Sequence, residues 1–228
     1  MSCYVLVHGG AHGAWCWDRI VPLLAQHPRV SQVLAVDLPG HGTRLASKPQ
    51  KAIQLSDYVD SVVDDIERSQ LTEIVLVGHS LAGITIPHVA ARLPDRMRRL
   101  VYLSTTNPAL GHSVMDELAA NPLSPISRGV DVTNAFCSDL DPESSAWLRD
   151  RLGPEPQRPM EEKVSRLAGP SEIPATYIVL DQDEVLPPAY QLEHAKRIGA
   201  GEIVHLAAGH SAFASQPGAL AALLLHYA

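Results

Sequence analysis

Short, nearly pure apolar runs alternate along the chain with longer amphipathic stretches. A strand wet on one face would alternate polar and apolar residues, so unbroken apolar runs belong to parallel strands covered on both faces by connecting helices. The pattern predicts strands at Tyr4–Val7, Val33–Val36, Ile74–Val77, Leu100–Ser104, Thr176–Leu180 and Glu202–Leu206. Helices are predicted between them at Ala14–Gln26, Leu55–Ser69, Leu81–Leu93, Tyr190–Ile198 and Gly218–Tyr227. In the second helix Val59, Val62, Val63 and Ile66 make a core-facing stripe at helical spacing, with Ser56 as the predicted N-cap.

Between the fourth and fifth strands the pattern breaks. Thr105 to Glu172 holds no strand-like run and is punctuated by prolines at 108, 122, 125, 142, 154, 156, 159 and 170. Asp141-Pro142 is a helix start, acid at the cap and proline at the first position, with Ala146, Trp147, Leu148 and Leu152 as its apolar face. Met160–Ala168 reads as another short helix. An insert this long is rare in a compact domain unless it is functional, so it is expected to be a small helical cap over a site rather than a flexible surface excursion. The chain therefore reads as one domain over 1–228, with a core of 1–104 and 173–228 and a cap of 105–172.

Composition narrows the function classes. At 228 residues one α/β domain with a sizeable core is expected. The net charge of -7, with both signs interspersed, offers no basic patch, so no nucleic-acid partner is expected. The first residues lack a charged leader with a long apolar stretch, and no apolar run reaches bilayer length, so a cytoplasmic protein with no membrane partner is expected. Cys3, Cys16 and Cys137 are odd in number and lack C-x-x-C spacing, which argues against a disulfide framework or zinc site. No metal cluster or cofactor motif is evident.

Gly78-His79-Ser80-Leu81-Ala82-Gly83, directly after Ile74–Val77, places a serine on a strand-to-helix turn. Such a nucleophile elbow is so sharp that very small residues must bracket the serine, and Gly78 and Ala82 do so, Ala82 departing from the usual second glycine. A serine hydroxyl is a poor nucleophile at neutral pH and needs a base and an acid that orients the base. His210, in the small-residue turn after the last strand, is the expected base, ahead of His8, His12, His41, His79, His88, His112, His194, His205 and His226. Asp183, just past the fifth strand, is favoured as the acid over Asp181, with Glu184 third. Both lie beyond strand C-terminal ends, where open α/β sheets place their sites, in the chain order Ser, Asp, His. An oxyanion needs two backbone N–H donors. Leu81 is expected to supply one and Gly10, in the loop His8–Gly13, the other. That loop has neither G-K-[ST] nor G-x-G-x-x-G, which argues against phosphate binding.

With these residues in hand the chain resembles an α/β-hydrolase. His8-Gly9-Gly10-Ala11-His12-Gly13-Ala14-Trp15-Cys16-Trp17, then Val21-Pro22-Leu23-Leu24, then Asp37-Leu38-Pro39-Gly40-His41-Gly42 and the elbow, are similar to the plant methyl-ester esterase (methyl salicylate esterase) and hydroxynitrile lyase group and its bacterial relatives. The resemblance implies a six-stranded, mainly parallel sheet flanked by helices, with the cap inserted after the fourth strand. It implies Ser80 as nucleophile, Asp183 as acid, His210 as base and Gly10 with Leu81 as oxyanion donors, with no cofactor. The lyases of that group carry a threonine after the first-loop histidine and a lysine after the catalytic histidine, where this chain has Gly9 and Ser211. Without that cation, hydrolysis of a small, neutral, apolar ester, a methyl ester for example, is expected ahead of a lyase or cyclase reaction. A small-molecule receptor with slow hydrolysis is the reading from another class. The apolar cap permits a homodimer without demanding one.

Overall fold

A computed structural model describes residues 1–125 and 127–228. Its strands are β1 (Ser2–Val7), β2 (Val30–Val36), β3 (Ile74–His79), β4 (Met97–Leu103), β5 (Ala175–Leu180) and β6 (Glu202–Leu206). They form one sheet in the order β2-β1-β3-β4-β5-β6, and every neighbouring pair is parallel.

The helices are α1 (Val21–Ala25), α2 (Leu55–Arg68), α3 (Ile86–Arg92), α4 (Val114–Ala120), α5 (Val132–Phe136), α6 (Pro142–Arg149), α7 (Gln157–Glu161), α8 (Pro188–Arg197), α9 (Ala212–Ser215) and α10 (Pro217–Leu225). Because strand side chains alternate between faces, Val5, Val7, Leu76, Tyr102, Tyr177 and Val179 pack with α2, α3 and α8. Tyr4, Leu6, Val75, Val77, Leu103 and Ile178 pack on the other face with Trp17, α1, α9 and α10. Each fully buried Val, Leu or Ile contributes roughly 1.5–3 kcal/mol, which makes the two faces the main source of stability. Among the described residues, no helix is long and apolar enough to cross a membrane.

Several boundaries differ from the sequence expectation for identifiable reasons. Ala14–Gln26 is not one helix but a 3-10 turn, Ala14–Trp17, followed by α1, and Leu81–Leu93 is likewise a 3-10 turn, Ser80–Ile84, followed by α3. Pro22 and Pro87 stand in the first turns of α1 and α3, where the missing N–H is harmless, and neither would fit a continuing helix. Ser56 is not the cap of α2. Gln54 is, because Leu55 is already buried in the helix and Asp57 Oδ2 accepts from Gln54 N–H at 2.7 Å.

The segment between β4 and β5 carries α4 to α7. Asp141 caps α6 through Ser144 N–H, with Pro142 at its start. The predicted helix Met160–Ala168 is instead α7, Gln157–Glu161. It stops there because Val164 pairs with the chain at 111–112, donating to His112 O and accepting from Gly111 N–H. Helices α4 and α5 were not anticipated, although Ser113 and Asp116 at the start of α4 form a capping box.

Strand order also locates a crevice. The turn after β1 leads to Trp17, Ile20 and Leu24 on one face, while the turn after β3 leads to Ile84, Ile86 and Val89 on the other. The two adjacent loops diverge at their C-terminal ends, which is where doubly wound sheets open a binding site.

Candidate active site

At the end of β3 the backbone turns at Ser80 with φ of 53°. A positive φ is unfavourable for a residue with a Cβ, and such strain persists only where surrounding structure holds it. Bulk near the turn is excluded on both sides. A Cβ on Gly78 would lie 3.0 Å from Ile86 and 3.2 Å from Ala82 Cβ, so the alanine fits provided position 78 stays glycine. A Cβ on Gly9 would stand 2.7 Å from Ser80 Cβ, which makes the β1 loop a close wall of the turn.

Ser80 Oγ lies 3.0 Å from His210 Nε2, and His210 Nδ1 lies 2.7 Å from Asp183 Oδ2. His210 and Asp183 are almost fully buried. Asp183 Oδ1 accepts from the N–H groups of Val185 and Leu186, while Oδ2 also takes a hydrogen bond from Ser104 Oγ. An Oδ2 that accepts from His210 Nδ1–H leaves Nε2 free to accept from the serine hydroxyl. Of the other two carboxylates in this loop, Asp181 pairs with His205 at the surface and Glu184 is exposed.

The remaining histidines near the site brace the backbone. His8 Nδ1 donates to Gly9 O at 2.8 Å and its Nε2 accepts from Leu38 N–H, so the ring is neutral; burial pushes its pKa down to about 3. His12 Nδ1 donates to Gly10 O at 2.6 Å, the ring stacks on Trp15, and burial pushes its pKa down to about 3 as well. His79 points away from the cavity, its Nε2 donating to His210 O at 3.0 Å, and burial holds its pKa well below the usual range. Phe136 of α5 stacks on the His210 ring, 5.4 Å between centroids with the planes 19° apart.

Because C=O and N–H of a planar trans peptide point in opposite directions, the grip of His8 on Gly9 O turns the Gly10 N–H away from His8. Gly10, Leu81 and Ser80 all line one cavity of about 220 Å³. Its other walls come from Ala11, Thr106, Val114, Leu118, Pro125, Val132, Phe136, Glu155, Met160, Val185 and Leu186. Most of these belong to the segment between β4 and β5, which therefore covers the crevice. Of the positive-φ non-glycine residues, Ala11 (61°) and Ser80 line it and Ser104 (41°) is buried against Asp183; the others among the described residues, Gln70 and Glu73, lie in the turn before β3.

Asp37 joins the loops after β1 and β2. Its Oδ1 accepts from Ala14 N–H at 2.7 Å and its Oδ2 from the N–H and hydroxyl of Thr43. Burial alone would raise its pKa, but these donors hold the carboxyl below the usual range. A side chain at Gly42 would collide with this carboxylate, which gives Asp37-Leu38-Pro39-Gly40-His41-Gly42 a physical meaning that spacing does not show.

Sequence reasoning missed Ser104, Phe136 and Glu155. Ser104 had only its place at a strand end as a signal. Glu155 stood out only as a carboxylate between two prolines, Pro154 and Pro156.

A model of the alpha/beta hydrolase family matches residues 4–223. Over 99% of its length the chain is 28% identical to putative methylesterase 11, chloroplastic, of Arabidopsis thaliana, and spans 63% of that protein. Over half of its length it is 36% identical to a carbendazim hydrolyzing esterase of Nocardioides sp. (strain SG-4G), spanning 46% of that protein. The chain spans less than two thirds of the length of curated relatives such as these, from 63% down to 26%. In three dimensions it is similar to an extracellular alpha/beta-hydrolase from a Paenibacillus species, described as sharing structural and functional homology with tobacco salicylic acid binding protein 2. The TM-score is 0.80 at 23% identity, over 100% of this chain and 99% of the other, which shows a common fold.

Proposed function

Since the chain belongs to the alpha/beta hydrolase family, we propose that it is a serine carboxylic-ester hydrolase working through an acyl-enzyme on Ser80. The observation that carries this reading is the pair of hydrogen bonds joining Ser80 to His210 at 3.0 Å and His210 to Asp183 at 2.7 Å.

Ser80 Oγ attacks the ester carbonyl as His210 Nε2 takes its proton, and Asp183 holds the imidazole orientation and stabilises the imidazolium. The Gly10 and Leu81 N–H groups receive the oxyanion. Collapse expels the alkoxide, which leaves as an alcohol with the proton from His210. A water then gives a proton to His210 and attacks the acyl-enzyme, releasing the carboxylic acid and restoring Ser80.

The substrate is a small, neutral, apolar ester, with methyl esters as the first class to try. A cavity of about 220 Å³ falls below the usual range of about 300–1,000 Å³ for ligand pockets. Glu155 is the single ionisable side chain among its described lining residues, so an anionic substrate meets repulsion. Those residues include no lysine or arginine, and the residue after His210 is the buried Ser211, which favours ester hydrolysis over cyanide release. The name methylesterase on the Arabidopsis relative supports the same choice.

The test is hydrolysis of p-nitrophenyl acetate, p-nitrophenyl butyrate and a panel of methyl esters by wild type and Ser80→Ala at neutral pH. Turnover in wild type that falls at least about a thousandfold in the variant is expected. A wild type inert toward every ester overturns the reading.

A further inference from the structure

We propose that Glu155 is the positioning residue of the oxyanion hole, clamping Ala11 so that the neighbouring Gly10 N–H stays aimed into the cavity. The inference rests on the esterase reading above, and deepens it by assigning a role to a cap residue outside the Ser80, His210 and Asp183 set.

Both backbone polar groups of Ala11 are taken by the same short stretch of the cap. Ala11 N–H donates to Glu155 Oε2 at 2.7 Å, and Ala11 O accepts from Gly153 N–H at 2.8 Å. Ala11 holds a φ of 61°, a conformation unfavourable for a residue with a Cβ that relaxes unless it is held. The peptide joining Gly10 to Ala11 is gripped at both ends, with His12 Nδ1 on Gly10 O and Glu155 on Ala11 N–H. Its rotation is coupled through a single residue to the Gly10 N–H.

The clamp is itself anchored. Glu155 Oε2 also accepts from His41 Nε2 at 2.9 Å, and Oε1 accepts from Tyr58 OH at 3.0 Å. The carboxylate therefore ties together the β1 loop, the β2 loop and α2. Its backbone is preset, because Pro154 has a fixed φ and Pro156 drives the residue before it into extended conformation. A Cβ on Gly10 would lie 3.2 Å from Glu155 Oε2, so the clamp lies against the donor residue itself. Replacing the carboxylate with alanine leaves the Gly10–Ala11 peptide held at its Gly10 O end alone and blurs the aim of a donor that matters mainly in the transition state.

The experiment compares Glu155→Ala and Glu155→Gln with wild type on p-nitrophenyl acetate, together with inhibition by a trifluoromethyl ketone, whose adduct on Ser80 carries an oxyanion. Glu155→Ala is expected to lower kcat about 10–100-fold with KM within about twofold, and to weaken the ketone by a similar factor. Glu155→Gln keeps an oxygen acceptor for Ala11 N–H and recovers kcat to within about fivefold of wild type. If Glu155→Ala does not fold, Tyr58→Phe carries the test, with kcat falling about threefold or more at unchanged KM. An unchanged kcat, a rise confined to KM, or a glutamine variant as impaired as the alanine overturns the clamp while leaving the esterase reading standing. A wild type without esterase activity overturns both.

Discussion

Ser104 Oγ donates a 2.6 Å hydrogen bond to the same Asp183 oxygen that His210 reaches from the other side. The two donors fix the carboxylate plane, and Ser104 keeps a φ of 41° at the end of β4 to do so. Ser104→Ala leaves one acceptor site of a buried carboxylate empty and its plane less restrained. Steady-state kinetics are expected to show kcat lowered about tenfold with KM nearly unchanged, in keeping with a lost hydrogen bond to a charged group of about 1.5–3 kcal/mol, partly regained by relaxation.

Gly9→Ala tests the close approach of the β1 loop to the elbow. With 2.7 Å between the new Cβ and Ser80 Cβ, and His79 also within 3.1–3.2 Å, backbone must move. Overpacking of this kind costs about 1–3 kcal/mol. Denaturant unfolding is expected to show that loss, and kcat to fall about a hundredfold or more; a variant with wild-type turnover would show that the wall at Gly9 is soft.

Stability is expected to fall as the pH drops below about 6.5. His8 and His12 are buried and neutral with pKa values near 3, while in the unfolded chain they titrate near 6.5. Between those values the unfolded state binds more protons, so unfolding free energy rises with pH at up to about 1.4 kcal/mol per unit for each histidine. His194, pushed down by burial to about 4, adds to the slope over its own window. Asp37, held low by its donors, acts in the same direction only below about pH 4; Asp18, raised by burial, opposes it just above that value. Urea titrations at pH 7.5, 6 and 5 check this, and a midpoint that stays constant across them would contradict it.

Met160→Ala and Leu118→Ala should each enlarge the cavity that these side chains line. Since a methylene in a fitted pocket is worth about 1–3 kcal/mol, the ratio of kcat/KM for the butyrate over the acetate ester is expected to rise at least about threefold. An unchanged ratio would mean that the acyl chain is held elsewhere.

Much of the core was legible because double-sided burial leaves unbroken apolar runs, as in Tyr4–Val7 and Ile74–Val77. Helix boundaries were less so. Pro22 and Pro87 split predicted helices in which the apolar spacing continued undisturbed, and α7 ended early through a pairing between Val164 and His112 that spans fifty residues of sequence. Ser80, His210 and Asp183 stood out because each follows a strand end in a short loop of small or acidic residues. Glu155 and Ser104 did not, since their partners, Ala11 and Asp183, are far off in the chain and no local spacing encodes the contact.

The segment that shapes the cavity also grips two of the loops around it, the one after β1 and the one after β6. Gly153 and Glu155 hold Ala11 on one side, and on the other Asp139 Oδ2 accepts from Gly209 N–H at 2.6 Å, immediately before His210. Natural variation in this insert is therefore not free to explore new substrates at will. Exchange of α4 leaves those three anchors and the stack of Phe136 on His210 in place, whereas a transplanted insert lacking the anchors releases the loops that carry Gly10 and His210.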